Sequence, residues 1–380
     1  MTGSGQTSAS RAISSAQTLV VKVGSSLLVD AQSNSFREAW FKTLISDLVE
    51  LRKQGKRVIV VSSGAIALGC LSTGGSRSSQ TLAQNQASAA VGQIRLAREF
   101  ERALAVHGTA AAQVLLTLDD TEQRTRYLNA RKALEAILDM SALPFINEND
   151  TVATSEIRFG DNDRLAARVA QMMSADCLLL LSDVAGLYEE DPRRYPGARL
   201  LERVDSITPE IQSMAGSPGS LMGSGGMTTK IDAAAIAVGS GCHMVLASGL
   251  SEHPVRAVSE SGRCTHFVAS GSPVTQRKQW IAGSLQLCGE VHVDDGAVAA
   301  LKAGSSLLPI GVTRINGAFE RGDAVSVVDG SGREIYRGLC AYGADDARRI
   351  VGLHSQDIVS ELGFVGPDEL IHRDDLVLAS

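Results

Sequence analysis

TLVVKVGSS, residues 18–26, is the stretch on which the fold turns. A short apolar run that stops at Gly-Ser-Ser reads as a strand buried on both faces, its carboxyl end opening into a polar turn. The one charge inside it, Lys22, is costly to bury unless an anion meets it. The alternative is an edge-strand lysine whose stem covers apolar surface while its head reaches water. Gly24, two residues on, permits close backbone approach, so Lys22 and the amides beside it are candidate contacts for phosphate oxygens.

Outward from this run the same pattern repeats. RVIVVSS (57–63), AAAQVLL (110–116), LPFIN (143–147) and CLLLLS (177–182) read as further strands. Between them, residues 37–54, 86–106, 124–139 and 161–173 carry helical periodicity. Strand–helix alternation with apolar strands predicts an α/β fold, a three-layer αβα sandwich around a mostly parallel central sheet. Ligands of such sheets bind outside the carboxyl ends of the strands. The polar runs Gly24-Ser25-Ser26, Ser62-Ser63-Gly64, Asn147 to Asp150 and Ser182-Asp183 all fall at strand ends, and such a sheet is expected to gather them on one rim.

The chain changes character near residue 270. The expected organisation is a flexible tail over residues 1–16, an α/β domain over 17–272, a linker over 273–288 with Trp280 as its aromatic anchor, and a small β-rich domain over 289–380. Gly330-Ser331-Gly332 marks a hairpin turn in the last of these. That domain carries 15 acids against 8 lysines and arginines, whereas the rest of the chain has 27 against 28. An acidic module lacks the footprint that phosphate-backbone binding requires, which argues against RNA as its partner. No apolar run of about 18 residues or more predicts a membrane span. The six cysteines include no C-x-x-C pair, so neither a disulfide framework nor a zinc site is expected, in keeping with a reducing, cytoplasmic setting.

Four polar clusters carry the chemistry. Beside Lys22 stands GSGGMTTK (223–230), a glycine-rich loop entering a helix. Its exposed amides and Lys230 make a phosphate cradle, although the order is not that of a Walker A loop. In RFGDNDRLAARVAQ (158–171), Asp161, Asn162 and Asp163 include a helix cap, but capping needs only one of the three. The acids are free to organise the lysines, and Asn162 offers both donor and acceptor. INENDTVAT (146–154) is either a turn or a binding site, with Asp150 for an ammonium and the asparagines for a carboxylate. Ser63 and Gly64 add a hydroxyl and an amide. Together these indicate phosphoryl transfer by positioning and charge neutralisation. A carboxylate acceptor is already ionised at neutral pH and needs no general base, so the scatter of the seven histidines is expected.

The ordered set VVKVGSSLL, VVSSGAIALG, INENDTVAT, GDND, LLLLSDVAGLY and GSGGMTTK resembles the amino acid kinase family, and within it the glutamate 5-kinase branch, from Thr18 to the C-terminus. The C-terminal segment resembles a PUA domain. The resemblance implies that Lys22 and Lys230 flank the transferring phosphoryl group with Asp163 orienting them. It implies substrate contacts from Ser63, Asn147, Asp150 and Asn162. It also implies ATP contacts from Lys22, Gly24, Ser182, Asp183, Ser224, Gly225, Gly226, Met227, Thr228, Thr229 and Lys230, with Mg²⁺ escorting the nucleotide and no resident metal. Implied too are L-glutamate as acceptor, γ-glutamyl phosphate as the product that opens proline synthesis, inhibition by proline, and assembly as a homodimer or homotetramer. Ser182 stands where many relatives have threonine. Asp150 disfavours an N-acetylated acceptor, which has no ammonium to pair.

Overall fold

The computed structural model describes residues 7–30, 33–74, 80–153, 161–215, 226–273, 275–276 and 287–379. The chain divides into two compact units, Met1–Gln123 with Asn129–Pro273, and Arg124–Leu128 with Val274–Ser380.

The first unit is built on an eight-stranded sheet. Its strands are β1 (Thr18–Val23), β2 (Arg57–Ser62), β3 (Ala111–Leu116), β4 (Leu143–Glu148), β5 (Cys177–Ser182), β6 (Arg203–Val204), β7 (His243–Ser248) and β8 (Cys264–Phe267). They lie in the order β3-β4-β2-β1-β5-β7-β8-β6. The first six in that order are mutually parallel, β8 runs antiparallel to β7, and β6 is parallel to β8. The helices used below are α1 (Ser8–Ser15), α2 (Glu38–Lys53), α3 (Ala65–Thr73), α4 (Leu82–Ala105), α5 (Arg124–Asp139), α6 (Asp161–Met172), α7 (Met227–Gly239) and α8 (Pro254–Ser261).

Strand alternation sorts β1 between the two helical layers. Leu19, Val21 and Val23 join the core formed with Trp40, Phe41, Leu44 and Leu48 of α2 and with Leu96, Phe100 and Leu104 of α4. Val20 and Lys22 face the opposite side, where α6 packs on β1. Lys22 therefore points at the amino-terminal end of α6 because of its parity in the strand. On the first side, Phe41, Phe100 and Phe145 form a ladder, with centroids 4.9 Å and 4.5 Å apart, that fastens α2 and α4 to β4.

Two readings from the sequence are corrected. Residues 8–15, expected within a flexible tail, form α1, with Ala9, Ala12, Ile13 and Ala16 buried. Thr7 caps it, its hydroxyl accepting from the Ser10 amide at 3.1 Å. The helix forms because small apolar residues at spacings of three and four make one narrow stripe that packs on α8 and β8. The helix expected over 86–106 begins four residues earlier, at Leu82, where Thr81 and Gln84 form a reciprocal capping box.

α3 and α4 meet without a side-chain layer between them. A Cβ added at Gly69 would lie 1.7 Å from the Ser88 carbonyl oxygen, and one at Gly92 would lie 1.8 Å from that of Ala65. Glycine is obligatory at both crossings.

The second unit contains a five-stranded sheet: β9 (Gly289–Val293), β10 (Val312–Gly317), β11 (Ala324–Val328), β12 (Glu334–Leu339) and β13 (Leu376–Leu378), ordered β10-β9-β11-β12-β13. Val291, Val293, Val325, Val327, Ile350, Leu370 and Ile371 centre its core. The expected hairpin turn joins β11 to β12, where the Asp329 carboxylate accepts from the amides of Ser331 (3.0 Å) and Arg333 (3.1 Å). Most of the expected linker, Trp280 included, lies outside the described residues.

Candidate active site

The strand order lays the polar strand ends out in a row: Asn147 on β4, Ser62-Ser63 after β2, Lys22-Val23-Gly24 on β1, Ser182-Asp183 on β5, and Ser248-Gly249 on β7. Backbone bonds stitch this rim together. The Ser63 amide donates to Val23 O (3.1 Å), Gly24 to Leu181 O (3.2 Å) and Gly249 to Ser182 O (2.8 Å). After β2 the chain turns at Gly64 with φ of +99°, a left-handed conformation that β-carbon-bearing residues resist, and enters α3 directly. That turn sets Ser63 on the rim instead of extending the strand.

At the centre of the row, three charges converge. Asp163, in the first turn of α6 and 0% exposed, pairs through Oδ1 with the Lys22 ammonium. Through Oδ2 it accepts from Lys230 Nζ and from Thr229 Oγ1, both at 3.0 Å. Lys230 also donates to the Gly226 carbonyl at 3.1 Å, which fastens the lysine to the loop that opens α7. α6 and α7 pack together, so two helix amino termini and two ammonium groups surround one carboxylate. Such a locus attracts anions in excess of the charge Asp163 neutralises. Burial pushes the Asp163 carboxyl upward, but Lys22 and Lys230 together outweigh it and hold the group below the usual carboxylate range. Burial pushes the Lys22 ammonium below the ordinary lysine value, against the pull of Asp163, and nearby Lys230 adds to that lowering.

Two buried polar atoms around this centre find no hydrogen-bond partner among the described residues: Asn162 Oδ1 and Thr228 Oγ1. Buried orphans of this kind mark places a ligand completes. Further along the row, Asn147 is 1% exposed, and Asp150 is buried in the turn that follows β4. Beyond β5, the Ser182 hydroxyl donates to the exposed Asp183 carboxylate at 3.1 Å. A Cβ at Gly24 would meet the Leu181 carbonyl at 3.4 Å, Ser26 Oγ at 3.9 Å and Lys22 Nζ at 4.0 Å, all ordinary contact distances, so the ledge above Lys22 is not crowded.

The structure thus brings Lys22, Asp163, Thr229 and Lys230 into one contact network. It places Gly24, Ser63, Asn147, Asp150, Ser182 and Asp183 along the rim, while Asn162, Gly226, Met227 and Thr228 fall in the first turns of α6 and α7 or at their entry. Ser224 and Gly225 lie outside the described residues. Reading the sequence missed Gln93, whose side chain holds Asn147. A polar residue inside an amphipathic helix is ordinarily solvent-facing, and only its place beside Gly92 sets it apart.

The profile of the amino acid kinase family matches residues 17–248, and that of the PUA domain matches residues 289–362. The chain belongs to the amino acid kinase family. Within this family its full-length likeness is to glutamate 5-kinases. That of Paramagnetospirillum magneticum is 55% identical over 366 residues, covering 96% of this chain and 99% of that protein. That of Bradyrhizobium diazoefficiens is 53% identical over 370 residues, covering 97% and 99%. A weaker likeness, at 13% identity and a TM-score of 0.48, is to the UMP kinase of Bacillus anthracis, covering 68% of this chain and 98% of that one. The amino acid kinase match spans the rim from Lys22 to Ser248, and α7 lies within it.

Proposed function

We propose that this chain transfers the γ-phosphoryl group of ATP to the side-chain carboxylate of L-glutamate, giving γ-glutamyl phosphate, the first intermediate of proline synthesis. The observation that carries the reading is the Lys22–Asp163–Lys230 network at the middle of the rim, with substrate-type groups on one side and nucleotide-type groups on the other. The likeness to glutamate 5-kinases over nearly the whole chain supports glutamate as acceptor.

In this reading ATP lies on the β5–β7 side, against Ser182, Asp183 and the amides entering α7. Glutamate lies on the β2–β4 side, its ammonium near Asp150 and its reacting carboxylate directed to the centre. Lys22 and Lys230 neutralise the phosphoryl oxygens as charge shifts from leaving to attacking oxygen. Asp163 holds the two lysine side chains in place; both of its oxygens are engaged, so it serves neither as base nor as metal ligand. No group of three or more His, Cys, Asp or Glu side chains able to hold a metal occurs among the described residues. Mg²⁺ would enter as an escort of the nucleotide, held chiefly by its phosphates, and would supply charge neutralisation there.

The same reading includes proline as a feedback inhibitor, a homo-oligomeric enzyme and a cytoplasmic site of action. No helix among the described residues is long and apolar enough to cross a membrane. The acidic PUA domain takes a regulatory or structural part in preference to RNA binding. Trapping the acyl phosphate with hydroxylamine tests the core of the proposal. Hydroxamate should form with ATP and free glutamate, should fall when proline is added, and should be absent with N-acetylglutamate. Product from the acetylated substrate alone would refute the assignment.

A further inference from the structure

Gln93 lies in α4, immediately after the crossing glycine Gly92. Its Oε1 accepts a hydrogen bond from Asn147 Nδ2 at 2.7 Å, and Asn147 Oδ1 accepts the Glu148 amide at 2.9 Å. The Asn147 amide is thus fixed at both ends, with one N–H left over. Gln93 Nε2, by contrast, is shut away from solvent and has no hydrogen-bond partner among the described residues. Turning the Gln93 amide over does not cure this, because it would set Nε2 against Nδ2 of Asn147, donor against donor. Backbone contact at Gly92 leaves α4 no room to carry the side chain elsewhere. A buried amide donor held in this way is paired by something that enters the site.

The spacing of the rim says which end of a substrate that is. Asn147 ends β4, and Lys22 sits near the end of β1, with β2 between them. Two strand spacings are about 10 Å, a separation that a short dicarboxylate and the side chains reaching toward it can span. With one carboxylate at the two lysines, the other falls toward Asn147 and Gln93.

We propose that Gln93 is a substrate-binding residue, its Nε2 donating to the α-carboxylate of glutamate beside the remaining N–H of Asn147. The proposal rests on the functional reading above and adds a contact to it. Neutral amides serve this end of the substrate, so the positive charge of the site stays concentrated where phosphoryl transfer occurs.

Steady-state kinetics of two variants test it. Gln93→Glu keeps an acceptor for Asn147 but turns the donor into an anion facing a carboxylate. Gln93→Met removes both hydrogen bonds at similar volume. KM for glutamate should rise at least 30-fold in Gln93→Glu and 5- to 10-fold in Gln93→Met, while kcat and KM for ATP stay within threefold. The reverse order, with Gln93→Met the worse, would show that Gln93 only positions Asn147 and would overturn the contact. A glutamate KM within threefold of the parent in both variants would overturn it as well. Failure of the parent protein to phosphorylate glutamate would instead defeat the functional reading itself.

Discussion

Replacing Asp163 by asparagine isolates the charge at the centre of the site. The side chain is fully buried and meets two ammonium groups, so the change keeps the shape and removes the anion. At an effective dielectric of about 20, a unit charge pair at the 3.0 Å of the Lys230 contact is worth about 5 kcal/mol gross. Desolvation offsets much of this, and losing one partner of a buried pair costs about 3–5 kcal/mol net. Asp163→Asn should therefore lose about 3–5 kcal/mol at pH 7, because two lysines are left facing each other. Urea unfolding followed by Trp40 fluorescence, with Trp280 replaced by phenylalanine, reads the loss. The sign with pH follows from the depressed Asp163 carboxyl. Its contribution is present above the unfolded-state value of about 3.9 and disappears as pH falls through the lower folded value, so parent and variant converge in acid. Turnover should drop at least 100-fold. Adding Lys22→Met should restore most of the stability and none of the activity. A variant within 1 kcal/mol of the parent, or one whose deficit persists unchanged at pH 2, would refute the reasoning.

Three further outcomes are expected. Gly92→Ala places a methyl group where the Ala65 carbonyl stands, and forcing the helices apart should cost about 3 kcal/mol, seen as a fall in Tm of about 6–12 °C. Asp47 is buried and accepts from His253 Nδ1 (2.8 Å) and from the amides of Val255 (3.0 Å) and Arg256 (3.1 Å). Asp47→Ala uncaps α8, should cost about 2–4 kcal/mol, and should raise KM for ATP more than KM for glutamate, because the same loop carries Gly249; equal changes in both would count against it. Burial pushes the Cys340 thiol up to about 12 and Cys264 up to about 11, and only Cys288 among the six is more than slightly exposed. Iodoacetamide at pH 8 should alkylate Cys288 first and the other five only on unfolding, as peptide mapping would show.

The Lys22–Asp163–Lys230 network was legible in the sequence because its residues break local rules. Lys22 interrupts an apolar strand, and Asp163 is one acid more than a helix cap needs. Strand order was not legible, since each apolar run reports its own burial and says nothing of its neighbours; the antiparallel β8 and the order of the row from β4 to β7 come only from the fold. α1 escaped notice because Ala9, Ala12 and Ala16 bury little surface each, and a Ser-Ala composition reads as a solvated tail. Gln93 escaped for a related reason: helical periodicity identifies the apolar stripe of α4 but does not rank the polar residues beside it.

The glycine crossings of α3 and α4 also determine how force passes through this half of the enzyme. Side chains between helices ordinarily act as a cushion, changing rotamer so that one helix moves without dragging the other. Backbone in contact at Gly69 and Gly92 leaves no cushion, and the pair behaves as one stiff plate. Its outer surface shows Val91 and Ile94 to solvent, and its inner edge carries Gln93 and begins just after Ser63. Pressure on the outer surface is therefore felt at Gln93 and at the Asn147 amide it holds. The lysines stand on β1 and α7, outside the plate, so under the function proposed above an input arriving this way registers as a change in affinity for the acceptor, with the rate of transfer left alone.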